Sequence, residues 1–307
     1  MQTNMLASRV RITLYAAILL YGSILHSGSV ENFSQSVVFL RQSVPFLETI
    51  NGTEFEVWLK IPGTEQLSPK QTTLTGTGLI VGSSNNICYL VTAKHVAIKM
   101  TEQCEIVLRG LQKKPLHITL DAITGQPMVK WIHHEKADVS IHPLPSITAD
   151  GVKILEQRAF PIAGLESHFH LPSRDITLSA VGFPLGLGAE GEFIPLSRES
   201  KLSSGMLTDK EVLYFLLQDP SVSGYSGSPI IQSGTSLMIA TGARLEQIIN
   251  TNGNTRCWGF VSGTFGDESG GKMSKITPAG YAVEVIRKFE SDLIVNSAPE
   301  PATTKAK

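Results

Sequence analysis

From residue 51 onward the chain alternates short apolar runs with turn residues. The first series comprises "EFEVWLKIP", "TGTGLIVGSS", "ICYLVTAKHVA", "LHITLDAI", "MVKWIHHE" and "ADVSIHPL". A less regular stretch covers 150–174, and a second series follows: "DITLSAVGFPLG", "VLYFLLQDP", "SLMIATGARL" and "CWGFVSGTF". Val, Ile, Thr and aromatic residues fill the runs, while Gly, Pro, Asn and Ser separate them. That pattern predicts an all-β protein, a sandwich or barrel. One segment breaks the rule. In "AGYAVEVIRKFESDLI", Ala282, Val285, Ile286, Phe289 and Leu293 fall on one face at helical spacing, which predicts a single short C-terminal helix with a packing face.

The pattern partitions the chain as a leader over 1–29, an N-terminal extension over 30–50 and a first β unit over 51–160. A second β unit with the helix covers 161–295, and a small, polar tail covers 296–307. The leader "MQTNMLASRVR" followed by "ITLYAAILLYGSIL" and small residues at Ser27 and Ser29 has the layout of a secretory signal peptide. Its apolar stretch is short for a bilayer span of about 20 residues, so a membrane contact is expected only if this segment stays uncleaved. The expected destination is therefore outside the cytoplasm, periplasmic or secreted.

Composition narrows the function classes. Apolar residues at 42% and charged residues at 17% describe an ordinary globular chain, and a net charge of −1 offers no electrostatic footprint for nucleic acid. Three cysteines, Cys88, Cys104 and Cys257, are too few for a disulfide scaffold; a Cys88–Cys104 bridge and three buried thiols both remain open. "HH" (133–134) and "HFH" (168–170) lack a third ligand at suitable spacing, so no metal and no cofactor is expected and these histidines read as surface residues.

Chemistry enters at "SVSGYSGSPI" (221–230), where glycines flank Ser226 on a tight turn. Taken alone this is a Ser/Gly turn between strands. A serine hydroxyl needs a base to become a nucleophile. His95 stands in "YLVTAKHVA", where an apolar strand breaks into small residues, and Asp138 borders the apolar run "ADVSIHPL". Each has an ordinary reading, as a packed histidine or a strand-end carboxylate. Together they form the ordered set His, Asp, Ser, each embedded in apolar strands.

That order and those contexts resemble the trypsin-like (chymotrypsin-fold) serine peptidases. "TGTGLIV…YLVTAKHVA" is similar to the family's strand pair leading to its histidine, "ADVSIHPL" to its Asp-bearing strand, and "SGYSGSPI" to its nucleophile turn. "SAVGFPLGLG" and "GYAVEVIRKF" resemble the bacterial Deg/HtrA-like branch, here without a PDZ module. The resemblance covers roughly 70–290. It implies two antiparallel six-stranded β-barrels with a short C-terminal helix, and a site between them.

By the same resemblance Ser226 is the nucleophile, His95 the general base and Asp138 the group that orients the imidazole. The N–H groups of Gly224 and Ser226 form the oxyanion hole. Pro220, Ala243, Arg244, Leu245 and Gly280 are implied as the substrate pocket. Lys94, Ser228 and Tyr225 depart from the family pattern; Tyr225 stands where chymotrypsin-type enzymes hold the aspartate that receives a newly cut N-terminus. The implied activity is that of a serine endopeptidase on polypeptide substrates. Its rivals are an inactive pseudo-peptidase that binds peptides, and an esterase on the same machinery.

Overall fold

The computed structural model describes residues 33–83, 87–124, 130–144, 155, 158–232, 236–241, 244–249, 255–268 and 270–297. The leader over 1–29 and the tail from 298 lie outside them. The chain is mostly β, in two main sheets. The first begins with β1 (Val37–Pro45) and continues after an arm of four short strands, β2 (Leu47–Ile50), β3 (Thr53–Glu56), β4 (Trp58–Lys60) and β5 (Leu67–Pro69). Next come β6 (Gln71–Gly82), β7 (Cys88–Thr92), the helical turn α1 (Lys94–Ala97), β8 (Glu105–Arg109) and β9 (Pro115–Thr119). The turn α2 (Leu120–Thr124), β10 (Ile132–His133), β11 (Ser140–Leu144) and β12 (Phe160–Pro161) complete it. Its order is β10-β11-β7-β6-β1-β8-β9, with β12 added in parallel on the end of β6.

The second sheet uses β13 (Thr177–Gly182), β14 (Leu196–Lys201), β15 (Leu207–Asp209), β16 (Val212–Leu217) and β17 (Pro229–Gln232). After the hairpin β18 (Ser236–Thr241) and β19 (Arg244–Ile249) it adds β20 (Arg256–Gly266) and β21 (Lys272–Pro278). The order is β14-β13-β17-β20-β21-β16-β15. A bridge between Leu202 and Leu217 and the bond from Ser203 N–H to the Leu216 carbonyl, 2.8 Å, bring the end of β14 back to the end of β16. Among the described residues no backbone pairing joins β9 to β10 in the first sheet.

Burial explains why the strands read as continuous apolar runs rather than alternating ones. Val37 and Phe39 of β1 enter a core shared by both sheets and the C-terminal helix, while Val38 and Leu40 enter a core private to the first sheet. Leu79 and Val81 against Ile80 in β6, and Tyr89 and Val91 against Cys88 and Leu90 in β7, divide the same way. A strand with apolar partners on both faces has no solvent side to mark with polar residues. The second sheet keeps its own core around Leu178, Phe215, Ile230, Trp258 and Ile276. Arg41 of β1 pairs with Glu105 on β8 and reaches Glu190, at 2.5 Å, in the loop after β13. Its guanidinium holds the Glu105 carboxyl below the usual carboxylate range.

Several expectations need correction. The extension over 30–50 is not outside the first β unit: β1 pairs with both β6 and β8 in mid-sheet, because "VVFL" is buried on both faces. "EFEVWLKIP" is not a strand of the main sheet. Its residues form the exposed arm, where β2 pairs with β3 and β4 with β5. "SLMIATGARL" folds on itself as the β18–β19 hairpin. Two six-stranded units become sheets of eight and seven strands. The helix, α3 (Gly280–Ser297), is longer than its apolar stripe. Ala282, Val285 and Ile286 are buried on it, whereas Leu293 is exposed.

The cysteines are all buried thiols, and no disulfide joins them. Burial pushes the Cys104 and Cys257 thiols up to about 12, so neither forms the reactive thiolate near neutrality. Native protein treated with iodoacetamide at pH 8 should therefore stay unmodified at Cys104 and Cys257, whereas the urea-unfolded chain should be alkylated at both. Peptide mass mapping reads the outcome.

Candidate active site

Glycines in β6 place the histidine. A Cβ on Gly76 would stand 2.6 Å from Val96 Cγ1, so only a bare backbone lets α1 sit down on this strand. That contact fixes the turn bearing His95. Asp138 lies in the loop between β10 and β11, two residues before the strand. Its carboxylate makes two bonds to the histidine: Oδ2 to the ring Nδ1 at 2.8 Å, and Oδ1 from the His95 backbone N–H at 2.9 Å. A carboxylate on Nδ1 selects the tautomer with its proton there, which leaves Nε2 as the basic nitrogen. Both side chains are partly open to solvent, at 42% and 31% exposed.

Ser226 occupies the turn between β16 and β17. Tyr225 N–H bonds to the Val222 carbonyl at 3.1 Å and Ser228 N–H to the Tyr225 carbonyl at 2.8 Å, bending the chain tightly on either side of the serine. Gly224 and Gly227 have φ of +90° and +84°. A Cβ on Gly224 would strike the Phe183 carbonyl oxygen at 2.3 Å, and one on Gly227 would stand 2.2 Å from Thr92 Oγ1. The latter would also lie 3.0 Å from the Ala93 nitrogen, two residues before His95, so the serine turn and the histidine turn abut. Among the described residues no hydrogen bond joins Ser226 to His95, and none accepts the N–H of Gly224 or Ser226. Such contacts are often long before substrate arrives. Ser228 is fully buried against Gly182, and its Oγ finds no protein partner. It is not placed to attack a substrate.

Thr77 is the site residue that sequence reasoning missed. It is fully buried in β6, and its N–H donates to the Ser226 carbonyl at 2.9 Å. Its hydroxyl donates to the Gly224 carbonyl at 2.8 Å and accepts the Phe183 N–H at 3.1 Å, while its own carbonyl accepts the Thr92 hydroxyl at 2.7 Å. One threonine thus ties both sheets to the peptide that carries the expected oxyanion donor. A second tie comes from "SAVGFPLGLG": Leu185 N–H donates to the Ser223 carbonyl at 2.7 Å.

The residues expected to form the substrate pocket belong to several elements. Ala243 lies outside the described residues, and Arg244 and Leu245 belong to β19, which pairs with β18. The strand beside the serine turn is β20, where Gly227 N–H meets the Val261 carbonyl at 2.8 Å and Val261 N–H the Ser228 carbonyl at 2.9 Å. Both "ATGARL" and "GFVSGTF" read as strands, and local pattern cannot say which one β17 selects. Gly280 faces Phe169 rather than an open wall, since a Cβ there would stand 2.8 Å from that ring. The Pro220 carbonyl accepts Arg198 Nη1 at 2.7 Å, and Arg198 Nη2 lies 3.6 Å from the Asp219 carboxylate. A cleft of about 390 Å³ adjoins Asp138, lined by Lys136, Leu213, Tyr214, Ser262 and Thr277 among others.

Neither histidine pair gathers a metal site: among the described residues no group of three His, Cys, Asp or Glu side chains could hold an ion. Near "HFH", Glu166 is buried and bonded to Arg256 at 2.7 Å and to the His168 N–H at 2.9 Å.

No family model and no curated protein matches the chain. The solved structure of a thermostable serine protease, AL20, from an extremophilic microorganism is similar to 85% of this chain and 99% of that one, with 12% identity and a TM-score of 0.45. At that identity and TM-score the likeness says nothing about the chemistry of this chain.

Replacing Thr77 by valine would strand the Gly224 carbonyl on the serine turn and the buried Phe183 N–H after β13. Thr77→Val should cost roughly 2 kcal/mol of stability in urea unfolding, and Thr77→Ser should recover most of it.

Proposed function

We propose that this chain is an exported serine endopeptidase of the trypsin-like class, in its Deg/HtrA-like branch. The observation that carries the reading is the doubly bonded His95–Asp138 pair set against a glycine-flanked serine turn. Two lesser observations support it: the return of β14 to β16, as in a closed barrel, and the Leu185 contact of the "SAVGFPLGLG" loop on that turn. Export rests on the leader over 1–29.

His95 Nε2 takes the Ser226 hydroxyl proton as Oγ attacks the scissile carbonyl carbon of a bound polypeptide. The carbonyl π electrons move onto oxygen, which the N–H groups of Gly224 and Ser226 receive. The tetrahedral species collapses, the C–N bond breaks, and imidazolium gives its proton to the leaving amine. Water then repeats the sequence on the acyl-enzyme, with His95 again as base, releasing the acid and restoring Ser226. Asp138 stabilises the imidazolium. Substrate backbone would pair with β20 beyond the end of its pairing with β17, near Ser262 and Gly263, displacing the Ser221 hydroxyl from the Gly263 carbonyl. Because Arg198 lies beside the Asp219 carboxylate, that acid is not spare for a basic side chain, and cleavage is expected after small or medium apolar residues.

A pseudo-peptidase is the second reading, favoured by the missing bond between Ser226 and His95. Turnover separates the two. With a peptide library, Ser226→Ala should lower hydrolysis by about 10⁶ and Asp138→Asn by about 10⁴ if the three act together. A wild-type protein that binds peptides without cleaving them establishes the pseudo-peptidase. A dominant Arg/Lys preference, lost in Asp219→Ala, would refute the assigned specificity.

A further inference from the structure

His134, read from sequence as a surface histidine, is instead folded under the loop that delivers Asp138. Its side chain is only 16% exposed, and its ring lies 4.8 Å from that of Tyr281 at the start of α3. Nδ1 faces two backbone donors of the loop, the Ala137 N–H at 2.8 Å and the Lys136 N–H at 3.1 Å. A ring nitrogen that accepts two N–H bonds carries no proton, so the ring proton sits on Nε2. There it donates to Glu284 Oε2 on α3, at 3.3 Å. The backbone of the same residue is held from both sides: its N–H bonds to the Val139 carbonyl at 3.0 Å, and its carbonyl accepts Lys94 Nζ at 2.8 Å. Lys94 immediately precedes His95. Ala137 and Val139, on either side of Asp138, are fully buried in the core shared by the two sheets.

We infer that His134 is a positioning residue for the proposed hydrolysis: as a neutral acceptor it shapes the 134–138 loop and so aims the Asp138 carboxylate at His95. The inference rests on the serine-hydrolase reading for its catalytic meaning. Its structural content, the aim of the carboxylate, can be measured without turnover. The charged groups around the ring fit this role. Glu284 accepts the Nε2–H hydrogen bond, Lys94 holds the loop from the histidine turn, and the neighbouring Glu135 is taken up by Lys288 of α3 at 2.9 Å. Lys94, a departure from the family pattern, thus points to the Asp138 loop rather than to open solvent.

Two substitutions divide the ring's duties. In His134→Asn the amide oxygen occupies the place of Nδ1 and can still accept the loop N–H groups. In His134→Gln the amide reaches toward Glu284 but leaves those groups without an acceptor. On active sites counted with a fluorophosphonate, His134→Gln should lower kcat about ten- to a hundredfold with KM little changed, the size expected when a catalytic group is misaimed. His134→Asn should return most of that loss. In parallel, the downfield proton resonance of the His95 Nδ1–H bonded to Asp138 should vanish in His134→Gln and persist in His134→Asn, both in a Ser226→Ala background that needs no turnover. If the two variants behave alike, or His134→Gln keeps both resonance and kcat, the inference is wrong. If His134→Gln does not fold, loss of the resonance in His134→Asn overturns it. A wild-type protein that never hydrolyses peptide defeats the proposed function alone, and the resonance still judges His134.

Discussion

The fold converges on a single buried residue. Thr77 engages four groups through its backbone and hydroxyl: the carbonyls of Ser226 and Gly224, the N–H of Phe183 and the hydroxyl of Thr92. Two of these belong to the serine turn, one directly follows β13 of the second sheet, and one lies on the strand leading to His95. Buried polar groups cost about 1–3 kcal/mol each when left without a partner. Parting the sheets here would strand several at once. The turn bearing Ser226 is therefore held in place by the first sheet as much as by its own.

The rest of the architecture supplies what this knot needs. A shared core of Val37, Phe39, Leu79, Val91, Val181, Phe183 and Phe260 presses the sheets together, and α3 adds Ala282 and Ile286 to it. Glycines then clear the approaches. Gly76 admits α1 and Gly227 admits Thr92, each where a Cβ would lie well inside van der Waals contact. The Asp138 loop is the remaining piece, and it is fastened to both neighbours, to α1 through Lys94 and to α3 through His134. Histidine and carboxylate thus meet from separate elements, the serine turn abuts the histidine turn, and each has its own support.

What could be read from the sequence depended on how local each signal is. His95, Asp138 and Ser226 each stand in a short motif whose neighbours are dictated by the turn they occupy, so they could be named as candidates, and the structure brings His95 and Asp138 into contact. The all-β class came from runs of β-branched residues. Which runs pair is a long-range matter. β19 and β20 look alike in composition, yet β17 pairs with β20 while β19 pairs with β18, a choice that local pattern does not encode. β1 passed for an extension because its four buried residues are too few to show a period. Thr77 and His134 stayed hidden because their partners are backbone atoms far away in the chain or folded back under a loop. No residue pattern announces such bonds.

The proposed hydrolysis requires that Ser226 be a nucleophile activated by His95 and Asp138. Treating the folded, purified chain with a fluorophosphonate and locating the adduct by peptide mass spectrometry tests that requirement without any choice of substrate. One phosphonylated residue is expected, Ser226, with labelling abolished in His95→Ala and unfolded protein left unlabelled. An adduct on Ser223 or Ser228, or labelling that survives the loss of His95, would overturn the assignment.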